Sequence, residues 1–99
     1  MQLYVIRRPS AWASLAELET AGATSARIGD DEMSDRIRWI RSYVVQEPDG
    51  RIGTFCIYEA KDGDAIRDHA RRVGMPGEEF YEVATTAIIR PDPVEMATA

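Results

Sequence analysis

Ile37-Arg38-Trp39-Ile40-Arg41-Ser42-Tyr43-Val44-Val45, then Pro48-Asp49-Gly50, then Ile52-Gly53-Thr54-Phe55-Cys56-Ile57-Tyr58-Glu59: this stretch decides the fold. Both long runs are rich in β-branched and aromatic residues, the chemistry of half-buried strands. Between them proline supplies a φ near −65° and glycine a position suited to positive φ. The chain therefore turns back on itself, and the two strands pair antiparallel.

Downstream of the hairpin, Asp62-Gly63-Asp64 offers an aspartate N-cap. Ala65, Ile66, His69, Ala70 and Val73 then fall on one face of a helix, which Gly74 stops and Pro76-Gly77 forbids to continue. Met75 is placed to close that end against Ala70. Phe80 to Ile89 reads as the last strand. Upstream, the acidic stretch Asp30-Asp31-Glu32 with Ser34 and Asp35 reads as a loop. Ser14-Leu15-Ala16-Glu17 matches a capping box, and Leu15, Leu18, Gly22 and Ala26 recur at helical spacing. Because Gly22 lowers helix propensity, this first helix is expected to end between Gly22 and Ile28, with Gly29 as its cap. Leu3 to Arg8 is a short strand that Pro9 ends.

The order is βαββαβ, an α+β fold of the ferredoxin-like kind: a four-stranded antiparallel sheet with both helices on one face. Strand alternation puts Leu3 and Val5 on one side and Tyr4 and Ile6 on the other, with Phe55 and Ile57 likewise opposed to Thr54, Cys56 and Tyr58. Neither side is charged at its centre. Two helices cover one face only, so the other leaves apolar area in water, and pairing with a second copy through that open face removes it. A homodimer is expected.

With 99 residues and 44% hydrophobic content, the chain fits one domain, taken as residues 1–91, followed by a tail 92–99 expected to be disordered. A net charge of −5 repels phosphate backbones and anionic bilayers, which argues against nucleic acid and membrane partners. Arginines nevertheless cluster at Arg7-Arg8, at Arg36, Arg38 and Arg41, and at Arg67, Arg71 and Arg72, leaving room for a local anion patch, although such runs are usually solvated faces. Cys56 is the lone cysteine, no segment has the makeup of a signal peptide or membrane span, and a reducing cytoplasm suits the chain.

His69 is the sole histidine and sits near the apolar stripe of the second helix. It is either a half-buried, hydrogen-bonded group or a ligand or proton carrier facing a cavity. One histidine cannot close a tetrahedral zinc site. Cys56 and Tyr58 share a strand face, and Trp39 and Tyr43 are expected to share one on the neighbouring strand. These four are pocket-lining candidates, or else ordinary interface packing. A catalytic thiolate at Cys56 would need His69 as its base. Glu82, between Tyr81 and Val83, lies either at a sheet edge or facing a polar cavity, and the acidic loop lacks the spacing of a calcium loop.

At Arg38-Trp39-Ile40-Arg41-Ser42-Tyr43, at Thr54 to Ala60 and at Ala65 to Pro76, the chain resembles a family of small bacterial nickel-binding proteins of otherwise unknown role. The resemblance spans about Leu3 to Arg90 and rests on a W-x-x-S-Y strand, a C-x-Y-E-A strand end, and a helix with H-A closing on G-x-P. It implies a dimeric α+β barrel and nickel as the cofactor. Carried onto this sequence, it makes His69 the first candidate ligand, with Cys56 and Glu82 behind it, since nickel favours imidazole and accepts oxygen donors. Three functions follow as expectations. The first is a homodimeric nickel-binding protein without catalysis. The second is a dimeric-barrel enzyme acting on a small aromatic or enolisable molecule, with His69 as general acid or base and no organic cofactor. The third is an accessory module without a ligand.

Overall fold

The hairpin closes as its turn residues require. Gly50 adopts φ +85°, Asp49 Oδ1 accepts from the Arg51 amide at 2.9 Å, and Glu47 N–H reaches Arg51 O at 2.8 Å. The computed structural model describes residues 1–93. Its elements are β1 (Gln2–Trp12), α1 (Leu15–Glu32), β2 (Ile37–Gln46), β3 (Ile52–Ala60), α2 (Gly63–Val73) and β4 (Phe80–Glu82). The strands form one antiparallel sheet in the order β2-β3-β1-β4, the ferredoxin-like arrangement expected.

Tyr4, Ile6, Cys56, Tyr58 and Ala60 point to the helix side and pack with Ile28, Met33, Ala65 and Ile66 in one core. The helix ends follow their sequence signals. Ser14 Oγ accepts from Glu17 N–H at 3.2 Å, and Glu17 returns to the Ala13 amide at 2.9 Å. Asp62 caps α2 through Ala65 N–H at 2.9 Å, and Gly74 at φ +86° ends it. Asp68 ties α2 to the start of β2 through Arg36 at 2.9 Å, an ion pair that, with Arg72, holds its carboxyl below the usual range.

Four expectations need correcting. First, α1 runs through Gly22 and the acidic stretch to Glu32, ending where Met33 N–H reaches back to Ile28 O. Burial of Ser25, Ile28 and Met33 outweighs glycine's propensity and the poor match of acidic residues to a helix C-terminus. Arg72 meets Glu32 at 3.1 Å and offsets part of that mismatch. Second, Pro9 does not end β1. It falls where the β1–β3 register shifts between Arg8 and Trp12, beside Ser10 at φ +51°, a bulge in which a missing N–H is tolerated. Third, β4 pairs over three residues rather than to Ile89. Val83 N–H still bonds Leu3 O, and the ladder is not continued beyond it.

The fourth correction moves a candidate residue. The β2–β3 register shifts between Trp39 and Arg41, so Trp39 pairs with Tyr58 while Tyr43 pairs with Phe55. The extra residue, Ile40, inverts the alternation, placing Trp39 on the helix side and Tyr43 on the open side. On that open side, residues 83–88 run alongside Leu3, Val5, Tyr43 and Ile57 and with them line a half-open cavity of about 380 Å³. The face is thus partly roofed by the chain itself. Asp92 Oδ2, the first residue of the expected tail, accepts from Tyr43 Oη at 2.7 Å and from Arg41 at 3.1 Å; residues 94–99 lie outside the described residues.

Candidate functional site

Between α1 and the sheet lies a cavity of about 190 Å³. Its walls are Leu18, Glu19, Ala21, Gly22 and Ser25 from α1, Trp39, Ser42 and Val44 from β2, Thr54, Cys56 and Tyr58 from β3, Arg8 and Trp12 from β1, and Met75 beyond α2. Trp39 stacks on Tyr58 with ring centroids 6.0 Å apart and planes 4° from parallel, a geometry that gives the cavity a flat aromatic wall. Gly22 faces this ring, and a Cβ there would make an ordinary 3.7 Å contact with the indole.

Polar groups meet behind the aromatic wall. Ser25 Oγ is 3.0 Å from Tyr58 Oη and 3.4 Å from His69 Nε2. His69 Nε2 also lies 3.1 Å from Ser25 O. A carbonyl only accepts, so Nε2 carries the proton and Nδ1 presents a lone pair. That Nδ1 is buried and has no partner among the described residues. Burial lowers the imidazole pKa below its ordinary 6.5, with Arg8 adding repulsion, so the ring is neutral near pH 7. Burial likewise pushes the Tyr58 phenol up to about 12, leaving it a neutral donor.

Arg8 is the residue the sequence reading missed. Its side chain is fully buried. Nε donates to Pro76 O at 2.6 Å, while Nη1 and Nη2 have no partner among the described residues. The guanidinium lies 5.8 Å from the centre of the Tyr58 ring. The loop that supplies Pro76 O packs closely: a Cβ on Gly77 would overlap Ala70. Read as one of an Arg7-Arg8 pair, the residue passes for a solvated charge. The alternation Tyr4, Ile6, Arg8 was the available signal, because it puts the second arginine on the inward face.

The sequence candidates are sorted by this geometry. Trp39, Cys56 and Tyr58 share the cavity, with Cys56 Sγ donating to Thr54 Oγ1 at 3.2 Å, whereas Tyr43 belongs to the open face. His69 is buried behind Tyr58, ring centroids 5.5 Å apart, and lines neither cavity. Glu82 is exposed on β4, accepting from Gln2 Nε2 at 2.8 Å. No three His, Cys, Asp or Glu side chains converge as a metal-holding group among the described residues, and of the three sequence candidates for a metal ligand it is His69 whose Nδ1 is buried without a partner among them.

Fold and site together define a ferredoxin-like α+β protein with a half-open apolar cavity between its first helix and its sheet. Residues 4–83 match the family described as Nickel responsive protein SCO4226-like, and the chain belongs to that family. The crystal structure of SCO4226 from Streptomyces coelicolor A3(2) is similar in fold, with a TM-score of 0.69 at 16% identity over 86% of this chain and 99% of that one. No curated protein matches. No helix among the described residues is long and apolar enough to cross a membrane.

Proposed function

We propose that this member of the nickel-responsive family is a homodimeric, cytoplasmic nickel-binding protein without catalysis, in which His69 supplies a ligand through Nδ1. One observation carries the metal reading. The Nε2–H of His69 is held by Ser25 O, leaving Nδ1 buried and unpartnered among the described residues. A metal-ligating histidine is oriented in the same way, its far N–H given to a carbonyl that fixes the tautomer. Neutrality near pH 7 leaves the lone pair available without loss of a proton. The family's description supplies the metal, and nickel accepts imidazole together with oxygen donors.

The remaining donors are water or side chains brought by rearrangement. His69 is 1% exposed, so access to Nδ1 requires α1 and α2 to part, and uptake is expected to be slow. Calorimetric titration of metal-free protein with nickel tests the reading. His69→Ala is expected to lose the tight site, while equal heats from both proteins would remove His69 and leave Cys56 and Glu82 as the next side chains to replace.

A further inference from the structure

A cation that is fully buried, with two of its three guanidinium nitrogens lacking a hydrogen-bond partner among the described residues, is an expensive thing to leave in a core. Arg8 holds this position beside a cavity of about 190 Å³ whose other walls are mostly hydrocarbon and aromatic ring. Its single bond, from Nε to Pro76 O, orients the guanidinium and leaves the Nη1 and Nη2 donors uncommitted. The Tyr58 ring offers a partial counter-charge through its π face. A planar fork of free N–H groups is the arrangement that grips a carboxylate with paired hydrogen bonds.

We propose that the cavity between α1 and the sheet binds a small organic monocarboxylate, its anionic head on Arg8 and its apolar body against the Trp39–Tyr58 stack. The volume sets the size. An apolar cavity of about 150 Å³ holds one benzene ring, so this one takes a single ring or a short branched chain. The hydroxyls of Thr54 and Ser25 are buried and already bonded to Cys56 and Tyr58, so the ligand's body meets hydrocarbon and aromatic ring. Two charged side chains line the cavity, the buried Arg8 and the exposed Glu19 on α1, so an anionic head belongs at the Arg8 end and away from Glu19. This site differs from the proposed nickel ligand, because His69 does not line the cavity.

The test compares isosteres on the whole protein, with a chelator present so that trace metal contributes nothing. Benzoate against benzamide, and isovalerate against isovaleramide, are titrated by calorimetry and by the change in tryptophan fluorescence. At least one carboxylate is expected to bind roughly ten- to hundredfold more tightly than its amide, the difference that a charge-assisted pair makes. Arg8→Met is expected to abolish that preference while raising the melting temperature, since it replaces an uncompensated buried cation with hydrocarbon. Arg8→Lys is expected to keep part of it. Equal affinities within both pairs, no binding by either carboxylate, binding of inorganic phosphate instead, or an unchanged preference in Arg8→Met would each overturn the proposal.

Discussion

His69 and Arg8 show how one residue's meaning depends on what lies behind it. The imidazole is neutral because burial disfavours its charged form, and its folded pKa lies below the ordinary 6.5. The unfolded chain therefore binds more protons than the native state between the two values. The stability held by neutral His69 is fully present above about pH 6.5 and is lost as pH falls through the lowered folded value. Denaturant midpoints measured from about pH 7.5 down to 5 should fall in the native protein and fall less in His69→Gln; identical slopes would place the titrating group elsewhere. That His69 would lie near the apolar stripe of α2 was legible from its spacing with Ile66, Ala70 and Val73. Its partner was not, since Ser25 lies on a helix turn that the glycine at position 22 argued against. Arg8 was hidden by the adjacent Arg7, whose side chain turns the other way and pairs with Glu47 at 2.8 Å.

At the scale of elements, local signals were reliable where no tertiary contact opposed them. Ser14, Asp62, Gly50 and Gly74 mark two helix starts, a hairpin turn and a helix stop as their chemistry dictates. They failed in three places, the first at Pro9, which sits in a bulge of β1 instead of ending it. The bulge at Ile40 has no sequence mark, yet it decides whether Trp39 or Tyr43 reaches the cavity. Gly22 reads as a helix breaker but sits inside α1, facing Trp39. Its φ is not positive, and an added Cβ meets the indole at 3.7 Å, an ordinary contact. Gly22→Ala is therefore expected to stabilise the protein by about 0.5–1 kcal/mol and, by narrowing the cavity it lines, to weaken carboxylate binding. Thermal melts and the titrations above check the two effects separately. Gly53→Ala should do the opposite to stability, because its Cβ would press on Arg8 O at 2.8 Å.

At the scale of the whole molecule, element order and strand pairing were legible because two helical crossovers and one tight turn admit few arrangements of four strands. Coverage of the open face was less so. Residues 83–88 cross part of it, yet Phe55 stays 40% exposed and Tyr43 43%, while Ile88 and Ile89 stand 75% and 84% in water. Apolar area in that state is a liability for a lone subunit, and the run after Val83, outside the β1 ladder, offers backbone donors and acceptors to another strand. In the proposed dimer a second copy covers the face. Ile57, opposite Val5 on one side and Arg41 on the other, is central to it and half-buried. Ile57→Lys should leave the helix-side core intact, as judged by an unchanged far-ultraviolet spectrum, and should shift sedimentation from dimer to monomer at micromolar concentration. The carboxylate preference should survive in that monomer, since Arg8, Trp39 and Tyr58 all belong to one chain. A native protein that already sediments as a monomer would refute the dimer while leaving the cavity on α1 untouched.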